Sequence, residues 1–141
     1  MSTYAGIVPD LRQILIGVPS IPTERWWEGD DDFAIPTDAP YLREALSPID
    51  SGPGLPGKPS LVREDWLWLI DLFFPRYQQS RTDAESVADD IRVAFFEGRS
   101  IGSQAGANGR ITRNFRNRLR IDGGWYHVPL EINGFHYRSS Y

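Results

Sequence analysis

The sequence predicts one α+β domain, a small, mostly antiparallel or mixed sheet of four to five strands packed with two helices. Three observations carry that expectation. Residues 4–16 place Ile7, Leu11, Ile14 and Leu15 at helical spacing. Residues 64–74 are apolar on both alternating faces, as a central strand is. Residues 82–97 form an amphipathic stripe behind a capping signature, and alternating runs follow. The order helix, strand, strand, helix, strand, strand fits an α+β layer architecture.

Each element has a local cause. In the first helix Pro9 comes early, where a missing N–H is tolerated, and Gly17, Pro19 and Pro22 end the run. Residues 24–28 read as a short strand, and Gly29, Asp30, Asp31 and Asp32 as a turn. Residues 40–46 read as a strand opening after Pro40. Residues 51–59 alternate glycine and proline, which break both helix and ladder, so they read as a loop joining two antiparallel strands. In the central strand Trp66, Trp68, Ile70, Leu72 and Phe74 share one face. Leu67, Leu69 and Phe73 share the other, which Asp71 interrupts. Two apolar faces predict cover on both sides.

Thr82 and Glu85 have the spacing of a capping box, Val87, Ile91, Ala94 and Phe95 form the buried stripe, and Gly98 is placed to stop the helix. Residues 98–109, rich in Gly, Ser and Asn, read as a flexible loop. Residues 110–121 alternate. Ile111, Phe115, Leu119 and Ile121 fall on one side, and Arg110, Thr112, Asn114, Arg116, Arg118 and Arg120 on the other. Asp122, Gly123 and Gly124 make a hairpin turn. Residues 125–132 close the sheet with Tyr126, Val128, Leu130 and Ile132 inward.

A chain of 141 residues is one domain's length and supports a core without staples. The absence of Cys excludes disulfides, thiol catalysis and zinc–thiolate sites. No apolar run approaches the roughly 18 residues of a membrane span. Neither a signal peptide nor a myristoylation motif is legible at Met1, Ser2 and Thr3, so a product made inside the cell and not bound to membrane is expected.

The formal net charge of −4 argues against generic duplex-DNA binding, but the charge is unevenly laid out. Residues 101–141 carry six Arg and two acids, whereas residues 1–60 carry four basic and nine acidic side chains. Such polarity serves either an intramolecular fold-back or the meeting of unlike edges of two copies. Lys58 is the only lysine, and arginine is the better fork for carboxylates at interfaces; an Arg-favouring codon usage explains the bias equally well.

Little catalytic chemistry is on offer. His127 and His136 are the only histidines, and no HExxH pattern exists, so neither metal nor cofactor is expected. Glu28 with Asp30, Asp31 and Asp32 lacks EF-hand spacing and reads as a solvated or Arg-pairing turn. The segment from Gly98 to Gly106 lacks the Lys-Ser/Thr end of a P-loop and follows a helix, and Ser103 sits in no G-x-S-x-G elbow. The dense constellation is Arg110, Arg116, Arg118 and Arg120. Arginines about 5–7 Å apart on one strand face repel unless something anionic covers them. Nucleic-acid backbone, an acidic patch of a neighbouring copy, and this chain's own Asp30, Asp31 and Asp32 are the candidates; the net charge favours a protein partner. Trp26 and Trp27 are adjacent, so on a strand they point to opposite faces, one to the core and one to an interface, unless a helix and a loop of the same chain cover both.

The order of these features resembles the bacteriophage tail terminator family of long non-contractile tails. The resemblance rests on the N-terminal helix, Trp27-Glu28 followed by Phe33 and Pro36, and Pro40-Tyr41-Leu42-Arg43. It continues through the apolar strand ending in Pro75, the capped helix containing Asp83-Ala84-Glu85-Ser86-Val87, and Trp125-Tyr126-His127-Val128-Pro129-Leu130-Glu131-Ile132. The glycine/proline loop and the basic strand depart from the family pattern. The resemblance implies a structural virion protein and no enzyme. It implies a ring, expected to be a hexamer, that caps the tail tube at its head-proximal end, stops tube polymerisation and offers a surface for head attachment. The partners implied are further copies of the chain, the tail tube protein and head–tail connector or neck proteins. The resemblance also implies that DNA passes through the lumen without sequence-specific binding and that assembly takes place in the host cytoplasm. A head-side neck ring, or a nucleic-acid-binding protein using the basic strand, are the alternatives.

Overall fold

Two helices lie against one face of a seven-stranded mixed sheet in a computed structural model, which describes residues 4–53, 61–102 and 108–139. The elements in chain order are α1 (Tyr4–Ile16), β1 (Glu24–Trp26), β2 (Tyr41–Pro53), β3 (Leu61–Pro75), α2 (Arg81–Ala94), β4 (Ser100–Gly102), β5 (Asn108–Arg116), β6 (Arg120–Asp122) and β7 (Trp125–Ser139). The strand order is β1-β2-β3-β7-β5-β4, with β6 on β7. Among the described residues β1 and β2 pair parallel, and the other neighbouring strands pair antiparallel. The α+β class is as the sequence predicts, but the strand number exceeds four to five. The extra strands β1, β4 and β6 have three residues each, too short to show a period.

The core lies between the helices and the sheet. Trp66, Trp68, Ile70, Leu72 and Phe74 of β3, and Val128, Leu130 and Ile132 of β7, meet Ile7, Leu11 and Leu15 of α1. From α2 come Ala84, Val87, Ala88 and Ile91. Each fully buried Val, Leu or Ile among them contributes about 1.5–3 kcal/mol by leaving water, and the two alanines less. Trp68 meets Phe95 edge-on at 5.4 Å. Gly134 is required by this packing: a Cβ there would stand 2.6 Å from the Trp66 ring and 2.7 Å from the Arg110 carbonyl oxygen. That glycine, read from the sequence as lying beyond the final strand, is internal to β7, which runs seven residues past Ile132.

Other expectations are corrected. The α2 N-cap is Ser80, whose hydroxyl accepts from the Asp83 N–H at 3.1 Å, while the Asp83 carboxylate accepts from the Ser80 N–H at 2.9 Å. The box is therefore Ser80 with Asp83, two residues before the Thr82–Glu85 pair. Asp83 serves as well as glutamate, and these two bonds hold its pKa below the usual carboxylate value. The helix ends at Ala94, and Gly98 (φ +91°) acts beyond it, turning the chain so that its N–H reaches the Ile111 carbonyl at 2.7 Å. Pro9 lies inside α1, beyond its first turn. Residues 51–53 of the expected glycine/proline loop belong to β2, pairing out to Pro53 opposite Val62 past a bulge at Pro48 and Asp50. Within the expected flexible loop at 98–109, β4 pairs with the start of β5. The remaining positions of the two loops, 54–59 and 103–107, lie outside the described residues. Finally, among the described residues β3 is covered by helices on one side and not, as expected, on both.

Candidate functional site: the uncovered face of the sheet

The face of the sheet turned away from the helices is set by register. Antiparallel partners share a face, so Tyr41, Arg43 and Ala45 of β2 stand beside Phe73, Asp71 and Leu69 of β3. Those stand in turn beside His127, Pro129 and Glu131 of β7. Farther along, Leu67 and Asp65 face Asn133 and Phe135. Phe115 of β5 lies opposite Glu131, and Arg113 opposite Asn133. Among the described residues no helix covers these side chains. Leu67 and Leu69 are half-buried and Phe115 is 39% exposed.

One end of this face is an aromatic and ionic cluster. Phe73 stacks on Tyr41 at 4.6 Å and on the His127 ring at 4.4 Å, while Trp125 meets Tyr41 edge-on at 5.2 Å. Trp26 stacks on Phe33 at 5.4 Å. The Arg43 guanidinium lies over both Trp26 and Phe73. Asp71 binds His127 Nε2 at 2.7 Å and Arg43 Nη2 at 3.2 Å. Burial pushes the Asp71 pKa upward, but the hydrogen bonds and charges of His127 and Arg43 outweigh it and hold the carboxyl below its ordinary value. Burial raises the Tyr41 pKa, against the opposing charge of Arg43.

The sequence-derived arginine row is divided between two sides. A bulge between Ile111 and Arg113 shifts the alternation of β5 by one residue. Ile111 remains in the core, whereas Phe115, expected on the same side, turns to the uncovered face. Asn114 turns to the helices, giving its amide to the Arg92 and Phe95 carbonyl oxygens. Arg116 follows, 3.6 Å from Asp89 of α2. Arg118 lies in the break between β5 and β6. Arg110 and Arg120 stand opposite Phe135 and His127 on the uncovered face. Arg113, missed in the sequence, joins them with its guanidinium 5.1 Å from the Phe115 ring. The spacing of four between Ile111 and Phe115 suits an unbroken strand, so the sequence gives no sign of the bulge. Arg110, Arg113, Arg118 and Arg120 make no ion pair among the described residues.

Asp30, Asp31 and Asp32 follow β1 at one border of the sheet, and β5 lies toward the other. Four strand spacings, about 19 Å, separate those strands. The acidic turn does not neutralise the arginines of its own chain. It is fixed in place: Trp26 Nε1 donates to the Asp30 carbonyl at 2.9 Å, and the Glu28 N–H donates to Glu44 at 2.9 Å. Trp26 and Trp27 do point apart. Trp26 lies on the uncovered side, and Trp27 packs against the core under the Arg12 guanidinium; both are half-buried by their own chain.

Glu44 was not singled out in the sequence, although it breaks the inward row Leu42, Glu44, Leu46. Its carboxylate is buried and accepts from Arg12, the Trp68 indole and the Glu28 backbone. Glu28 in turn accepts from the Leu46 N–H at 2.8 Å, so its carboxylate serves the backbone. His136 is buried, with Nε2 3.2 Å from Glu64. Among the described residues no three His, Asp or Glu side chains are grouped to hold a metal, and no helix is long and apolar enough to cross a membrane.

No family model and no curated protein matches the chain. A solved structure whose name carries no description of function is similar over 97% of both chains, with a TM-score of 0.65 and 18% sequence identity. That likeness, at this identity, is one of fold alone.

Proposed function

We propose that this protein is a tail terminator-like ring component of a bacteriophage virion. It caps the tail tube at its head-proximal end, stops tube polymerisation and presents the head-attachment surface, with no covalent chemistry by its side chains. The reading starts from the ordered likeness of the sequence to that family. The observation that carries it is the uncovered sheet face, with half-buried leucines, an exposed Phe115 and arginines that make no ion pair among the described residues. A layer of that kind is completed by another protein surface. Identical copies that meet through unlike surfaces close into a ring when the rotation allows, six copies being the expectation here. Termination requires that the ring's two ends differ, so that stacking stops after one layer. A DNA-binding role is less well supported, because the bulge in β5 divides the basic strip that a phosphate backbone would follow.

The biological test is deletion of the gene followed by electron microscopy of tails. Over-long or ragged tubes are expected. Tails of normal length with unjoined heads would instead place the protein on the head side of the neck. In solution, charge reversal of Arg110 and Arg120 together is expected to shift native mass spectra from oligomer toward monomer, and an unchanged oligomer removes those arginines from the joint.

A further inference from the structure

We infer that the outer edge of β2 is closed to strand addition, with Glu28, Pro48 and Pro53 as its guards, so that a second copy cannot extend the sheet through it. The topology shows why a guard is needed. β1 reaches Tyr41, Leu42 and Arg43 of β2, which runs on to Pro53, and among the described residues no strand lies beside the outer edge of the rest. A long bare edge with unused N–H and C=O groups is a template for another chain. The hydrogen bonds show which groups face outward. The Leu46 N–H donates to Glu28 Oε2 at 2.8 Å, and so points away from β3. Alternation turns Glu44 and Pro48 outward as well. The bulge after Pro48 moves the register by one residue. That puts Ser51, opposite Glu64, and Pro53, opposite Val62, in the same outward row. Of the four outward positions Leu46, Pro48, Ser51 and Pro53, two are proline and have no N–H to give. A third is taken by the Glu28 carboxylate, and Ser51 supplies the remaining backbone donor. Glu28 is itself held in place: its own N–H donates to Glu44 Oε1 at 2.9 Å, which pins the chain leaving β1 beside β2. Its carboxylate then stands where an added strand would put a carbonyl. Proline is tolerated in a sheet where its nitrogen faces away from a partner strand, and both prolines stand at such positions. The bulge adds local twist, and Ile49 within it, 59% exposed, is the apolar side chain that an unguarded edge would offer. The inference is independent of the ring reading: it names a border of the sheet that copies do not share.

Removing the guards tests this. Glu28→Ala combined with Pro48→Thr and Pro53→Thr gives the edge three outward donors that the unmodified chain lacks or uses, and circular dichroism checks that the variant folds. Native mass spectrometry over a concentration series is expected to show species beyond those of the unmodified chain, growing with concentration. Amide hydrogen exchange is expected to slow at residues 46–53 as those species grow. At low concentration Glu28→Ala alone is expected to speed exchange of the Leu46 amide by roughly tenfold, the effect of one lost hydrogen bond. Glu28→Gln, whose amide oxygen still accepts, is expected to keep most of that protection. Should the triple variant fail to fold, Pro48→Thr alone, at an exposed position, carries the same test with a smaller gain. A folded variant without added species overturns the inference, as do added species whose new protection lies elsewhere. So does an unmodified chain that gains protection at residues 46–53 when it assembles, since its copies then meet through this edge. In each of those cases the ring reading survives. An unmodified chain that stays monomeric removes the ring reading and leaves the closed edge standing.

Discussion

Along β3 the two sides of one strand are held by different physics. Trp66, Trp68, Ile70, Leu72 and Phe74 are buried under two helices, and their order comes from apolar burial and close packing. On the opposite side Arg63, Asp65, Leu67, Leu69, Asp71 and Phe73 are held by ion pairs, ring stacking and half-burial. Both sides are apolar enough to suggest cover, yet among the described residues helices cover one. On the ring reading proposed above, the difference separates what folds the domain from what a partner would cover: substitutions on the helix side are expected to cost stability, and those on the uncovered side to cost assembly.

The comparison is broken most severely at Glu44. Its removal leaves Arg12, the Trp68 indole and the Glu28 N–H without their shared acceptor, so Glu44→Ala is expected to destabilise by about 3–5 kcal/mol. Asp71→Ala breaks a half-exposed ion pair and is expected to cost about 1 kcal/mol or less. Urea denaturation of the two variants decides whether the helix side dominates. Leu72→Ala is expected to cost about 2–5 kcal/mol and Leu69→Ala well under half of that, since only Leu72 leaves a closed cavity. Equal shifts in midpoint for these two leucines would mean that the second face is covered after all.

Ser80→Ala should lower stability by about 1 kcal/mol, and Thr82→Ala by less than about 0.5 kcal/mol, because Ser80 is the residue that caps α2. The reverse order in thermal melts would restore the cap to Thr82. The smallest effect concerns pH. Asp71 has a lowered pKa in the folded state, so the unfolded chain binds its proton first as pH falls. Its stabilising contribution is therefore complete above the ordinary carboxylate value, near pH 4, and lost as pH drops through the lower folded value. Asp71→Asn is expected to flatten the stability profile in that acidic window and leave its shape at neutral pH unchanged.

Much of the helix-covered half was legible in the sequence, because burial imposes period and period shows in the residue order. The α1 span follows from spacing together with the breakers Gly17, Pro19 and Pro22, and the inward rows Trp66–Trp68–Ile70–Leu72 and Val128–Leu130–Ile132 from spacing. The uncovered half was less legible. One bulged residue beside Ile111 reverses the sides of Phe115, Asn114 and Arg116, and strands of three residues are too short to show alternation. Long-range pairing also keeps Gly134 inside β7, where local preference would end the strand. Two signals were present in the row order. Glu44 interrupts an inward row and marks the buried carboxylate, and Asp71 interrupts an apolar one and marks the pair with His127.

The central claim is that unlike surfaces of identical copies close on themselves. The mass of the unmodified protein in solution, read by native mass spectrometry at several concentrations, addresses it directly. A single discrete oligomer, six copies being the expectation, that persists without larger species is the predicted result. A monomer at every concentration, or an open series of ever larger masses, would contradict closure.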